Sequence, residues 1–260
     1  MDIREFGAAL IKTEDLDPVY CGLYRAELPE PQLCRLLLAY LSFYHLGVSA
    51  WMSEHEGGNF WDWMEKAAVN ETPAPSGGRW PRSSERRHFR GQKCVNAVRW
   101  LAEHYAPETP VRLLAKLPTE KLIIAQVCKW PMFSTWAGFK AADLMERVYG
   151  APVKFNPNLG LMYDSPRAAL NQLVNDHSFI APEALYNNLM THFSETKAPP
   201  RFDRYCGPTD IETVLCKFGS MRHGKYWVGN DITEVREALH GWGETAHQIL
   251  NSMPSEVARA

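Results

Sequence analysis

The chain has 260 residues, of which 45% are hydrophobic and 22% charged, the composition of a globular protein with a sizeable core. Its formal net charge is only −2, so no overall positive field draws it to nucleic acid, and any DNA contact must come from a local basic patch. The six cysteines are scattered without a C-x-x-C pair, which argues against a cysteine zinc site and a secreted disulfide scaffold. We therefore expect reduced thiols and a cytoplasmic protein.

The N-terminal third is predicted to be helical. Residues 1–17 predict a short helix and carry too many charges for a signal peptide. Residues 32–54 predict one long apolar helix, and residues 59–69 a second helix. Tyrosine, serine, histidine and glycine interrupt the apolar residues of the long helix, which favours a buried helix over a membrane span. Pro and Gly then make residues 70–82 irregular.

A cluster of positive charge follows the irregular segment. This cluster contains one acid, Glu85, and six cations: Arg79, Arg82, Arg86, Arg87, Arg90 and Lys93. Ser83 or Ser84 is the predicted N-cap of a helix that continues through Leu101. Because guanidinium groups match phosphate oxygens two at a time, the cluster predicts a phosphate-binding loop and helix start. The alternative interpretation is a solvated, charged helix end.

Residues 133–150 (FSTWAGFKAADLMERVYG) predict a tight turn at Ala137-Gly138 followed by an amphipathic helix. The order of hydrophobic, small, glycine, hydrophobic and lysine residues is also the outline of a helix-hairpin-helix turn. Such a turn directs backbone N–H groups and a lysine towards a DNA phosphate. Gly138 and Lys140 are therefore candidate DNA contacts. The alternative is an ordinary turn between two core helices.

The last third predicts helices over residues 165–173, 182–193 and 210–218, then a glycine-punctuated loop over 219–230 and a helix capped by Asp231. The loop fits the G-x4-G-K part of a P-loop, but Tyr226 replaces the Ser or Thr that would hold Mg²⁺. Its N–H groups could cradle a phosphate, and His223 could carry a proton near neutral pH. Cations stand in and beside this loop at Lys217, Arg222 and Lys225. The alternative is a surface loop with incidental basic residues.

The fold is predicted to be mainly α, because few segments alternate with period two. We predict a single domain over residues 1–260, with residues 1–105 as an optional N-terminal helical subdomain. A hairpin-like turn in a helical protein is typical of the helical DNA glycosylases, which flip a base out of the duplex. Asn156 or Asn158 stands where that class has its catalytic aspartate, and Asp164 lies further on. Modification of a flipped base that stays attached is therefore favoured over base excision.

Five segments carry a resemblance to a known family: residues 85–91 (ERRHFRG), 136–150, 162–167 (MYDSPR), 198–204 (APPRFDR) and 210–232. The chain resembles the amino acid:DNA transferases of bacteriophages with hypermodified thymines. This family is also known under the name α-glutamyl/putrescinyl thymine pyrophosphorylases, and it is related to the helical glycosylase fold. The resemblance implies a helix-hairpin-helix, DNA-glycosylase-like fold.

The resemblance also implies the reaction. A partner kinase phosphorylates or pyrophosphorylates 5-hydroxymethyluracil in double-stranded DNA, and the amine of an amino acid or polyamine then displaces the phosphate. The reaction needs positive groups for the leaving group, a base for the ammonium proton and an aromatic surface for the flipped pyrimidine. No cofactor is required, the need for a divalent metal is undetermined, and no membrane is involved.

Site residues are assigned on this reaction. The general base is His223 or His88, with Asp231 or Glu212 as the orienting acid. The catalytic candidates are His223, Lys225, Lys217, Asp231 and His88. The candidates for binding substrate and phosphate are Arg86, Arg87, Arg90, Arg222, Ser220 and Tyr226. The candidates for binding DNA are Gly138, Lys140 and Trp136, and those for stacking are Trp136, Tyr226 and Trp227. No metal ligand is predicted.

Two other functions compete with the transferase. The first is a DNA glycosylase or lyase acting on a modified base, for which Asp164 is the only plausible acid. The second is a non-catalytic DNA-binding module, which predicts salt-dependent binding without amine incorporation.

Overall fold

The computed structural model describes residues 1–176 and 181–258, and the predicted mainly α fold is confirmed. The described residues form fifteen α-helices, short 3-10 and π turns, and one two-stranded antiparallel sheet. The first nine helices are α1 Ile3–Thr13, α2 Pro18–Arg25, α3 Glu30–Phe43, α4 Leu46–Ser53, α5 Gly57–Val69, α6 Gln92–His104, α7 Thr109–Leu114, α8 Glu120–Val127 and α9 Thr135–Leu144.

The remaining elements follow in the C-terminal part of the chain. They are α10 Leu159–Met162, α11 Asp164–Asp176, α12 Pro182–Phe193, β1 Lys197–Ala198, β2 Arg204–Tyr205, α13 Pro208–Arg222, α14 Asn230–Leu239 and α15 Glu244–Ser252. The helices predicted over 165–173 and 182–193 correspond to α11 and α12. Among the described residues, no helix is both long and apolar enough to cross a lipid bilayer.

The chain divides into two compact units, each built from separate stretches of sequence. Unit 1 contains Met1–Cys21, Phe155–Glu234 and Met253–Ala260, and unit 2 contains Gly22–Lys154 and Val235–Ser252. These limits follow contacts in space and differ from the predicted N-terminal subdomain at 1–105. The single-domain organisation of the chain stays a prediction.

Unit 1 is organised around α13, which packs against α1, α10 and α11. Its core is a cluster of buried apolar side chains that includes Phe6, Leu10, Tyr186, Phe193 and Phe218. Burial of such side chains is the main favourable term in folding, at about 25 cal/mol per Å² of apolar surface.

Unit 2 is organised around α3, which packs against α4, α7 and α9, while α5 pairs with α6 and α8 with α9. The run of buried residues in α3 extends from Cys34 to Phe43, so this helix is covered nearly all round. Gly47 of α4 lies in a position where a Cβ would stand 2.2 Å from the Ala238 carbonyl oxygen. Only glycine therefore lets these backbones approach so closely.

The single helix predicted over 32–54 is wrong, because the chain breaks between α3 and α4. Tyr44 adopts a left-handed backbone conformation, with φ +51°, and its N–H donates to the Tyr40 carbonyl. His45 then caps α4, because its Nδ1 accepts a hydrogen bond from Val48 N at 3.2 Å. The apolar residues run on across the break, so hydropathy alone does not reveal it.

Two other predicted boundaries are also wrong. The helix predicted from Ser83 or Ser84 begins only at Gln92, after a 3-10 turn at Ser84–Arg86 and a left-handed Gly91 with φ +75°. The loop predicted from residue 219 begins at His223 instead, because α13 continues to Arg222. The predicted P-loop-like segment is therefore half helix, and the N–H groups of that half are directed into the helix.

The tight turn predicted at Ala137-Gly138 is wrong as well, because both residues lie in the first turn of α9. Ser134 caps this helix by accepting from Ala137 N at 3.5 Å. The N–H of Gly138 donates to the Ser134 carbonyl at 2.9 Å. A Cβ at Gly138 would stand 2.7 Å from Ile124 Cα, so glycine allows α8 and α9 to pack closely. The connection between these two helices is short, and the helix-hairpin-helix motif itself stays a prediction.

Candidate functional site

A buried carboxylate, Asp15, organises the candidate site in unit 1. Its Oδ2 accepts hydrogen bonds from the Tyr226 hydroxyl and from Gly229 N (2.6 Å), and its Oδ1 accepts from Ile232 N (3.0 Å). Asp15 is fully buried. Because two of its donors are backbone groups at the start of α14, the carboxylate interacts with the positive end of that helix.

Lys217 joins this network from α13. Its Nζ donates to the Asp15 carbonyl, forms an ion pair with Asp231 Oδ2 (2.6 Å) and lies 5.1 Å from the centre of the Tyr226 ring. The Lys217 side chain is 11% exposed. Three predicted site residues, Lys217, Tyr226 and Asp231, are thus brought together around an acid that the sequence analysis missed.

Burial sets the electrostatics of the network. It raises the pKa of Asp15, while Lys217 and the hydrogen bonds from Tyr226 and Gly229 act in the opposite direction. The pKa of Tyr226 is also raised, first by burial and then by the charges of Asp231 and Asp15. The tyrosine therefore keeps its proton and acts as a hydrogen-bond donor. This arrangement fixes the residues on both sides of the loop at 223–229.

The exposed part of the loop carries the remaining predicted groups. Arg222, His223 and Lys225 are all exposed, next to the left-handed Gly224 with φ +69°. The side-chain amide nitrogen of Gln172 lies 3.1 Å from Nε2 of His223, within hydrogen-bonding distance. Ser220 donates its hydroxyl to the Cys216 carbonyl of its own helix at 3.2 Å.

The other aromatic and acidic candidates of unit 1 have defined positions. Glu212 is buried and accepts a hydrogen bond from the Cys216 thiol at 3.1 Å. Trp227 is half-buried. Asp164 is exposed at the start of α11, and Asn156 Oδ1 accepts from Asn158 N at 2.9 Å. The two asparagines thus shape the turn before α10.

The basic cluster of unit 2 divides into buried and exposed members. Arg86 is 6% exposed, and its guanidinium donates to the carbonyls of Ser42 (2.9 Å) and Met132 (3.2 Å) between the rings of Phe89 and Phe133. Burial lowers its pKa to about 10. Since Ser42 lies in the last turn of α3, Arg86 stabilises the negative end of that helix. Its predicted role as a phosphate ligand stays a prediction.

Arg82 resembles Arg86, because it donates to the carbonyls of Phe89 and Ala67. Four members of the cluster are exposed, namely Arg79, Arg87, Arg90 and Lys93, and the neighbouring His88 is exposed as well. One guanidinium nitrogen of Arg87 donates a hydrogen bond to the Ser84 carbonyl at 3.0 Å, and most of its other N–H donors remain at the surface.

The predicted DNA contacts on α9 differ in accessibility. Gly138 is buried, while Trp136 and Lys140 are half-buried. Trp136 packs edge-on against Tyr44, with the ring centres 4.9 Å apart, and Lys140 Nζ lies 5.0 Å from the centre of the Phe139 ring. Gly138 therefore has a packing role, and only Trp136 and Lys140 present surface for a contact.

Among residues 1–176 and 181–258, no three histidine, cysteine, aspartate or glutamate side chains come together as metal ligands would.

Sequence reasoning missed Asp15 because it lies in the acidic segment EDLD, where no local feature distinguishes it from the other acidic residues. It also missed Asp210, which is fully buried and receives two hydrogen bonds from Arg204 at 2.7 and 3.0 Å.

Comparison with known proteins identifies the relatives of the chain. The model of the family described as amino acid:DNA transferase matches residues 1–226. A glycinyltransferase of Pseudomonas phage PaMx11 is 37% identical over 98% of this chain and 96% of its own length. A putrescinyltransferase of Delftia phage PhiW-14 is 27% identical over 96% of this chain and 82% of its own length.

Proposed function

This chain belongs to the amino acid:DNA transferase family, and on that premise we propose that it attaches an amine to an activated 5-hydroxymethyluracil in double-stranded DNA. The observation that carries the proposal is the similarity over nearly the whole length to two phage enzymes named for amine transfer. Since the relatives come from phages, we assign the reaction to the cytoplasm of an infected host cell.

The proposed step is a displacement at the methylene carbon. The amine nitrogen forms a bond to that carbon, the carbon–oxygen bond breaks, and phosphate or pyrophosphate leaves. A base on the protein takes the ammonium proton, so that the nitrogen lone pair can attack. A 5-hydroxymethyluracil DNA kinase is the functional partner that supplies the activated base.

The relatives support a proposal for the donor. The glycinyltransferase is more similar to this chain than the putrescinyltransferase, with 37% against 27% identity. We therefore propose an amino acid, with glycine first, as the donor. Polyamines are the competing donors in the experiment below.

Exposure divides the site residues by role. Arg222 and Lys225 are exposed on the loop after α13, where they can reach a phosphate without disturbing the core. His223 is the first choice for the base and His88 the second. Lys217, Asp231 and Tyr226 hold the loop through Asp15 and act on the reaction through its geometry. On unit 2, Arg87 and Arg90 are the members of the basic cluster that can reach a phosphate.

Mass spectrometry of nucleosides tests the proposal. Duplex DNA containing phosphorylated or pyrophosphorylated 5-hydroxymethyluracil is incubated with the protein and an equimolar mixture of glycine, other amino acids and putrescine. We expect a new nucleoside that carries one amine, with glycine as the preferred donor. The matched control is the same duplex with unmodified 5-hydroxymethyluracil, which should give no adduct because hydroxide is a poor leaving group.

Each other outcome contradicts a defined part of the proposal. Release of free base without an adduct indicates a glycosylase. Unchanged DNA with a verified activated substrate indicates a binding module. An adduct of putrescine in preference to glycine keeps the transferase and overturns the proposed donor.

A further inference from the structure

The segment APPRFDR at residues 198–204 has no role in the site described above. It forms the tip of a hairpin in unit 1, in which Lys197 pairs with Tyr205 and Ala198 with Arg204. Phe202 N donates to the Ala198 carbonyl at 3.1 Å, and Cys206 N donates to the Thr196 carbonyl at 2.8 Å. The tip is thus a closed, hydrogen-bonded loop.

The base of this hairpin is firmly anchored. Both guanidinium ends of Arg204 donate to the buried Asp210, at 2.7 and 3.0 Å, and Asp210 also accepts from Gly207 N at 2.8 Å. Ala198, Pro199 and Pro200 are buried. A bidentate arginine–carboxylate pair with one buried partner restricts the hairpin far more than an exposed ion pair would. The tip is therefore held in one position on α13.

The anchored tip presents aromatic side chains to solvent. Phe202 is 40% exposed and Tyr205 56% exposed, and they account for two of the seven exposed large apolar side chains among the described residues. Phe202 also has a left-handed backbone with φ +55°, which glycine or asparagine adopts more readily. Neither packing in the core nor the backbone conformation therefore explains why residue 202 is a phenylalanine.

The positive charges in and beside the hairpin tip suit the binding of a polyanion. Lys197 is exposed, its Nζ lies 3.8 Å from the centre of the Tyr205 ring, and Arg201 is the residue directly before Phe202. The tip also contains one acid, Asp203, and the charge of Arg204 is matched by Asp210. One cation thus lies against the exposed Tyr205 ring, and another directly precedes Phe202 in the chain.

We propose that Phe202 is a wedge that enters the base stack of duplex DNA and fills the space left by the extruded pyrimidine. This inference rests on the proposed function, because a transferase acting on the 5-position substituent of a stacked base must first bring that base into a site. Apolar side chains inserted between base steps are a known way to unstack a duplex. Phe202 is a positioning residue, since it contacts the neighbouring bases and leaves the chemistry to the site.

Base extrusion is measured separately from amine transfer. The probe is a duplex with one phosphorylated 5-hydroxymethyluracil and 2-aminopurine next to it on the same strand, whose fluorescence rises when stacking is lost. We expect Phe202→Ala to reduce the fluorescence rise at saturating protein, and the rate of transfer, about tenfold. The dissociation constant should change less than about threefold, because phosphate contacts dominate affinity.

Two variants separate the side chain from the fold. Phe202→Leu keeps an apolar wedge and should keep most of the fluorescence rise. Phe202→Gly relieves the left-handed backbone, so it should unfold at the same or a higher temperature than the wild type while losing extrusion. Met162→Ala, at another exposed apolar residue of unit 1, should behave as wild type in all three assays.

A substrate that is already unstacked provides the decisive comparison. When the target base lies opposite an abasic site, extrusion costs less, and Phe202→Ala should recover to within about threefold of the wild-type transfer rate. An equal loss of rate on paired and unpaired targets would overturn the wedge. A change of oligomeric state with unaltered extrusion would also overturn it and indicate a protein interface. If the wild type extrudes the base but transfers no amine, the reaction is wrong and the wedge stands.

Discussion

Arg86 and Arg87 are neighbours in the sequence, yet their side chains lie in opposite environments. Arg86 is enclosed by two aromatic rings and donates to two backbone carbonyls, whereas Arg87 is exposed and uses one nitrogen on the Ser84 carbonyl. The same residue type in the same motif therefore supports the fold at one position and can contact substrate at the next.

We predict that Arg86→Ala lowers the free energy of unfolding by about 3 kcal/mol, because it leaves buried carbonyls without donors and opens a space beside Phe89 and Phe133. Arg87→Ala should change it by less than about 0.5 kcal/mol, as expected for an exposed residue. Urea unfolding of the two variants measures both values. A stability of Arg86→Ala within about 0.5 kcal/mol of the wild type would contradict the structural role.

At the scale of the secondary-structure element, the break between α3 and α4 depends on His45. Its ring accepts a hydrogen bond from Val48 N and packs 5.7 Å from the centre of the Trp242 ring. Burial lowers the pKa of His45 to about 4. The folded protein therefore requires the neutral imidazole, which is the form that can accept the capping hydrogen bond.

Because the pKa of His45 is lower in the folded than in the unfolded chain, its contribution to stability is present above about pH 6.5 and is lost as the pH falls towards 4. At pH 5 the loss should be about 2 kcal/mol. His45→Asn keeps a capping oxygen that does not titrate, so its free energy of unfolding should fall less between about pH 7.5 and pH 5. The matched control is His240→Asn at an exposed position of the same unit, which should keep the wild-type pH dependence. An identical pH dependence of His45→Asn and wild type would refute the assignment.

At the scale of the whole molecule, a net charge of −2 means that DNA binding cannot come from an overall field. The candidate phosphate contacts are instead local: Arg222 and Lys225 are exposed on the loop after α13 in unit 1, and Arg87 and Arg90 are exposed in the basic cluster of unit 2. Affinity for duplex DNA should therefore fall with salt, with a slope set by the few phosphates that these patches contact.

Lys225→Ala and Arg87→Ala should each lower kcat/KM for amine transfer about 100-fold, since a group that stabilises the leaving phosphate acts mainly in the transition state. Each should change the dissociation constant for the activated duplex less than about threefold, and the salt slope by about one at most. Lys116→Ala, at an exposed lysine outside both patches, should leave all three values unchanged. Equal losses in transfer and binding would mean that Lys225 and Arg87 only position the DNA backbone.

Much of the architecture follows from local sequence. Prolines in the first turn and helical spacing of apolar residues predict α11 and α12. The mainly α fold and the resemblance to amino acid:DNA transferases also follow from the sequence, and the comparisons with known proteins confirm both the family and the transferase class. These properties depend on near neighbours in the chain or on motifs, which a sequence displays directly.

The tertiary structure decided which members of each motif are buried. Asp15 binds Tyr226 and the N-terminus of α14 more than two hundred residues away, and no local pattern distinguishes it from Glu14. The end of α3 and the position of Gly138 likewise depend on partners from other elements: the carbonyl of Ser42 accepts from Arg86, and Gly138 packs against the backbone of α8. Burial and long-range hydrogen bonds set the environment of a side chain, and they exist only once the chain has folded.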